Sequence, residues 1–252
     1  MCQGGACVCD PASQACGGVV FAISPNQPNG SNVVNWPGSA WTVSGTIHSN
    51  SDVAISGTGN VINGVIEHVT GFTISPDNTL NPSTNNPVKS TVLPDPVNKT
   101  PADFYQGTAS TATYHYINGN TSLSSYVTNG VLQSGIYYVN GNIDFFTTMS
   151  QTVTSNVTLV ATGSIYVHSA TLNIRPYYSG MAFFANATIS GNGLTITPSG
   201  GSWRGIVYAP HSYITYSGSA NTTGAGSLVG NRVTINGSAG HLTYDSSLFP
   251  PP

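Results

Sequence analysis

The sequence predicts an all-β fold, a right-handed parallel β-helix (solenoid) with a Pro/Ser/Thr-rich insertion that holds a short helix. Three observations predict it. Only 5% of the 252 residues are charged, and Gly, Ser, Thr and Asn fill the spaces between short Val/Ile/Tyr/Phe runs, the composition of closely spaced strands and tight turns. From Gly45 the chain reads GTIHSNSDVAISGTGNVINGVIEHVTGFTIS, in which Ile47 returns as Ile66, Val53 as Phe72 and Ile55 as Ile74, a period of about 19 residues. Related units start at Gly163, Gly180, Gly205 and Gly226, with the period drifting between about 17 and 24 residues. Strands this short cannot bury both of their faces alone, so stacking rungs at about 4.8 Å is the natural solution. A β-sandwich would use the same Asn-Gly turns but has no need of self-similar units.

In chain order the pattern divides into a Cys-rich N-terminal arm (1–24), first solenoid rungs (25–75), an insertion (76–134), a main solenoid (135–245) and a Pro-rich tail (246–252). All four cysteines, Cys2, Cys7, Cys9 and Cys16, fall in the arm. Two disulfides suit a Gly-rich segment with little core of its own in an oxidising exterior. Their C-x4-C-x-C-x6-C spacing lacks the knuckles of a zinc or iron–sulfur site, so no metal and no cofactor is expected. Next comes Val19, Val20, Phe21, Ala22 and Ile23, an apolar run between Gly17-Gly18 and Pro25. It reads either as a cap on the first rung or as an arm that adds to a neighbouring subunit. In the rungs, Ser56-Gly57, Gly59-Asn60, Asn63-Gly64, Ser217-Gly218 and Asn236-Gly237 supply corners. Pro76, Pro82, Pro87, Pro94, Pro96 and Pro101 exclude a central strand from the insertion. There, Thr100-Pro101-Ala102-Asp103 reads as a helix start that could pack across a lateral face of the solenoid.

The net charge of -3, with Lys89, Lys99, Arg175, Arg204 and Arg232 scattered, offers no field for nucleic acid. No apolar stretch is long enough for a membrane span, and the first residues lack the regions of a signal peptide. The eight acids show neither the paired carboxylates of a glycosidase nor the calcium cluster and base of a lyase, so no catalytic residues are assigned. The 19-residue register places Glu67 one rung from His48, which reads as an exposed cross-rung hydrogen bond rather than a tuned base. The other histidines read as solvated or turn residues. Of the tyrosines at 137, 138, 166, 177, 178, 208, 213 and 216, about half should fill the core and the rest could stack on sugars. Asn29, Asn98, Asn120, Asn156, Asn186, Asn221 and Asn236 begin N-x-S/T glycan-acceptor patterns, at about the frequency chance gives in this composition.

GIYYVNGNIDF from Gly135, VTLVATGSIYVHSATLNI from Val157, WRGIVYAPHSYITYSGSANTTGAGSLVGNRVTINGS from Trp203 and HLTYD from His241 resemble an uncharacterised β-solenoid domain of secreted bacterial and archaeal surface proteins. That domain often follows a pilin-like or Tad-type membrane segment. The resemblance covers residues 45–245 and implies an extracellular or cell-surface location, without supplying catalytic residues. The expected function is an extracellular structural protein, a self-assembling subunit (homopolymer) of a filament, sheath or surface layer. The alternatives are a monomeric adhesin or module binding surface glycans, and a polysaccharide-active β-helix enzyme.

Overall fold

The computed structural model describes residues 18–25, 33–146, 152–168, 171–188, 191–220 and 222–248, with the backbone of 2–3 and 6–7. The described chain is a parallel β-solenoid of about nine turns with little helix. Its coils have three faces. The predicted neighbours are in register: Ile47 pairs with Ile66, Val53 with Phe72 and Ile55 with Ile74. The apolar member of each alternating pair points into a continuous bore filled by Val, Ile, Leu, Phe and Trp, as period-2 side-chain alternation requires.

The order of the coils departs from the order of the chain. Along the first face the stack runs Tyr114–Asn118, Gly135–Asn140, 157–161, Met181–Ala185, 205–209 and 226–230. It then continues with Val20–Ala22, Ile47–Ser49, Ile66–His68 and Val88–Lys89. Two coil arrays therefore meet at a seam inside the rod. Val20 pairs with Leu228 on one edge and with Ile47 on the other. On the third face, His241–Thr243 pairs with Thr42–Ser44 across the same seam. Tyr244 and Val19 both press on Gly45: a Cβ built there would stand 2.7 Å from the Tyr244 Cβ and 3.3 Å from the Val19 Cβ.

The bore at the seam is aromatic. Trp36 and Trp41, from the first coil of the N-terminal array, meet edge to face at 6.1 Å, and Trp41 meets Tyr216 at 5.6 Å. Trp203 Nε1 donates to the Tyr216 hydroxyl at 3.1 Å. Glycines make the room: a Cβ on Gly224 would lie 2.4 Å from the Trp203 ring. Corners behave as the Asn and Gly signals predict. Asn60 is buried and bonds the Trp41 amide and the Gly38 carbonyl, while Asn78 continues the ladder one rung on. Gly237 takes φ +77° with its Cβ position 1.9 Å from the Gly218 carbonyl oxygen, a place only glycine fits.

The expected insertion at 76–134 is smaller than its composition suggests. Thr79–Asn81 and Val88–Lys89 complete a last coil, and Tyr114–Asn118 already opens the other array. Prolines 82 and 87 sit in the turns of that coil, where no ladder bond is asked of them. What remains, 90–113, is a strap that runs from one tip of the rod to the other along the outside of the first face. About nine turns at about 4.8 Å stand roughly 40 Å tall, well within the reach of that segment when extended. Leu93 and Val97 pack near the seam, Asp95 accepts a short hydrogen bond from Tyr208, Phe104 meets Phe184 at 5.7 Å, and Tyr105 meets Tyr138 at 5.1 Å. The expected helix is one 3-10 turn, Pro101–Phe104. The Thr100 amide donates to the Asp103 carboxylate at 2.7 Å, and the Asp103 amide donates to the Thr100 carbonyl at 3.1 Å. Under the strap, first-face strands lose their alternation: Met181–Ala185 is buried at every position, whereas Thr171–Arg175 on the third face alternates.

The two tips differ. The tip at 114–132 is closed by its own chain. Leu123 of a 3-10 turn plugs the bore, Val127–Thr128 folds back on Val131–Leu132, and Thr111 and Ser110 bond the edge of Tyr114–Asn118. At the other tip Phe72–Ile74, Thr79–Asn81 and Val88–Lys89 each pair on one side only among the described residues. Phe72, Ile74 and Leu80 are half-buried there.

Candidate functional site

The sequence-predicted residues scatter over this frame. Cys2–Gln3 pairs antiparallel with Ala6–Cys7, which puts Cys2 opposite Cys7. Cys9 and Cys16 lie outside the described residues, as do the side chains of all four cysteines and hence the two expected disulfides. Val19 to Ile23 is no free arm. Val20–Ala22 is a buried rung with both edges filled by its own chain, so the strand-exchange reading loses the edge it needs. Of the acceptor-pattern asparagines, Asn29 and Asn221 lie outside the described residues. Asn98, Asn120 and Asn156 are exposed, and Asn186 and Asn236 half-buried. Among the eight tyrosines, 137, 138, 208 and 216 are buried, 166 and 213 half-buried, and 177 and 178 exposed, close to the expected division. Burial pushes the Tyr137 hydroxyl up to about 12, with Tyr126 adding to it. Burial, and then Asp95, push Tyr208 further up.

His48 and Glu67 do meet, at 2.9 Å between Nδ1 and Oε2, but the pair is not exposed as expected. His48 is 1% exposed because Phe21 stacks on it at 4.6 Å and Asn50 and the strap close over it. Asn50 Nδ2 donates to the carbonyls of Ile23 (2.9 Å) and Leu93 (2.7 Å), and its Oδ1 accepts from the Leu93 amide at 2.7 Å. Those partners fix the amide orientation. An oxygen that only accepts then faces His48 Nε2 at 2.9 Å, so Nε2 carries a hydrogen. Nδ1 faces the Glu67 carboxylate, so both ring nitrogens of His48 are held by side-chain oxygens. The cluster joins three rungs to the strap, and its buried position makes it a clasp. Burial lowers the pKa of His68, with Lys89 adding to the effect, and burial lowers that of His115. Among the described residues no three His, Cys, Asp or Glu gather so as to hold a metal ion.

The feature that sequence reasoning missed is on the third face. There the strands from Thr152–Ala161, Thr171–Arg175, Gly201–Gly218 and Thr222–Gly237 present their outward positions in columns. One column runs Asn156, Arg175, Arg204, Ala225, Thr243, Ser44, Asn63 and Asn81. Arg175 and Arg204 follow directly on the paired Ile174 and Trp203, so two cations stand one rung apart. Arg204 is held by Asp245, Nε to Oδ2 at 2.6 Å, and by the Ser247 hydroxyl at 2.9 Å. Although partial burial works against it, hydrogen bonds from Ser247 and Arg204 hold the Asp245 carboxyl below the usual range. Shallow hollows of about 450 Å³ flank the two arginines, one of them bordered by Pro176 and Tyr177. The signal was present in the sequence as Arg175 and Arg204, but their separation of 29 residues lies outside the 17–24 residue period.

Compared with protein-family models, curated proteins and solved structures, the chain matches none of them. The class is therefore defined by the fold alone: a three-faced parallel β-solenoid of two arrays, tied by a lengthwise strap. No helix among the described residues is long and apolar enough to cross a membrane.

Proposed function

We propose that the chain is an extracellular surface protein that works as a rigid adhesive platform, with the third face as its contact surface. The observation that carries this reading is the asymmetry of the faces. The first is sealed by the strap, while the third presents a flat ladder of Asn, Ser, Thr and Arg side chains on consecutive rungs. Positions fixed by a close-packed bore bind without an ordering cost in the backbone. The composition and the resemblance to secreted surface domains support the external location. The test is retention of the purified chain on a panel of insoluble and immobilised polysaccharides, with sedimentation velocity on the same sample. Retention as a monomer on at least one polysaccharide is expected; no retention on any of them would overturn the reading.

Self-assembly into a filament, sheath or surface layer is the second reading, favoured by the one-sided strands at the 66–89 tip. Because the opposite tip is plugged, two copies would pair tip to tip through the same patch, which closes at a dimer rather than growing. The strands there are three residues or shorter, with Pro82 and Pro87 beside them and Lys89 within the last, devices that blunt an edge. A polymer seen by electron microscopy at high concentration would restore this reading to first place.

A further inference from the structure

The outward column of the third face is built almost entirely of Asn, Ser, Thr and Ala, side chains that cost nothing in charge when stacked. Arg175 and Arg204 break that rule. Guanidinium groups on neighbouring rungs, at about 4.8 Å per rung, repel one another, and a column chosen for stability alone has no reason to hold them. Arg204 is answered by Asp245 at 2.6 Å. Arg175 is not: the other ion pairs among the described residues are His48–Glu67 and Lys99–Asp103, and Arg175, which is exposed, has neither an acidic partner nor a hydrogen bond there. A departure from the local rule without a compensating contact is where function is to be sought.

The surroundings say what would answer the free charge. Tyr177, 41% exposed, borders the hollow beside Arg175 and has no aromatic neighbour among the described residues, unlike Tyr178, whose ring packs on Phe104 at 6.0 Å. Asn156 and Asn173 stand on adjacent rungs, and because Asn173 Oδ1 accepts from the Ser202 amide at 3.2 Å, Asn173 brings its amide hydrogens. A planar fork for a carboxylate, an apolar ring face and amides a rung apart match a sugar ring that carries an acid group. They match a bare anion less well, because it would leave the ring face unused.

We infer that Arg175, with Tyr177, Asn156 and Asn173, forms a subsite for a carboxylate-bearing saccharide, a uronate-type unit of an acidic polysaccharide lying along the rungs. The carboxylate takes the Arg175 fork, the sugar face lies on Tyr177, and Arg204, already neutralised, steadies the neighbouring rung. This rests on the adhesive reading above and names its ligand class.

The test is isothermal titration calorimetry of the full chain with an oligogalacturonate and with a neutral cello-oligosaccharide, on the native protein and on R175A, R175K and Y177A. Arg175 is exposed, so its variants should keep the native circular dichroism and melting curve. Binding of the oligogalacturonate that weakens about tenfold or more in R175A, is recovered only in part by R175K, and fades with added salt is the expected result. Y177A should weaken it without changing the salt dependence. Equal binding of the neutral oligosaccharide, or acidic binding untouched by R175A, would overturn the subsite and leave the adhesive reading standing. Failure of the native chain to bind either sugar or any polysaccharide of the panel would overturn both.

Discussion

Asn50 is the residue on which the strap depends most. It is 1% exposed and serves four partners at once: the carbonyls of Ile23 and Leu93, the Leu93 amide, and His48 Nε2. Asn50→Ala removes all four hydrogen bonds and leaves buried groups unpaired. At a net 0.5–1.5 kcal/mol for each, the loss is about 2–6 kcal/mol, a large share of the 5–15 kcal/mol typical of a folded domain. Urea denaturation followed by tryptophan fluorescence is a suitable assay, because Trp36, Trp41 and Trp203 all lie in the bore by the seam and report on its opening. Amide exchange adds the local view: the Leu93 amide, bonded to Asn50 in the native chain, should exchange far faster in the variant. A stability change below about 1 kcal/mol, with the Leu93 amide still protected, would refute the clasp.

Phe104→Ala should cost about 3–5 kcal/mol by the same assay, since the ring is buried against Phe184 and Tyr178; a cost under about 1 kcal/mol would show that the strap merely rests on the first face. Gly224→Ala puts a Cβ 2.4 Å from the Trp203 ring and should destabilise by about 1–3 kcal/mol, with a shift in tryptophan emission that a neutral substitution would not give. Tyr137, raised to about 12 by burial, favours the folded state in its neutral form. Its contribution is whole below the ordinary value of 10 and is lost as pH rises through about 12. Absorbance titration should show Tyr137 ionising only as the chain unfolds, and an early, reversible ionisation near 10 would contradict the burial.

The N-terminal array was legible where its period is constant. Ile47 with Ile66, Val53 with Phe72, Ile55 with Ile74 and His48 with Glu67 all follow from a 19-residue shift. The seam was not legible, since periodicity reports neighbours along the chain and nothing periodic links Val20 to Leu228. The strap misled in two ways. Its prolines excluded strands correctly within 90–113, but those at 82 and 87 sit in the turns of a true coil, and the cover that buries His48 comes from Leu93, far from it in sequence. The arginine column went unseen because loops of unequal length carry its members out of the repeat.

The seam also decides where anything joined to this unit would emerge. Gly18 accepts a hydrogen bond from Ser227 at the seam, and Leu248 is buried against Gly180, both partway along the length of the rod and not at its tips. A segment attached through either residue would hold the rod by its waist, like the crossbar of a T, with the plugged tip and the one-sided tip pointing away to left and right. Carried in that way, the long flank bearing Arg175 sweeps a surface broadside, and many rungs meet it together instead of one tip alone.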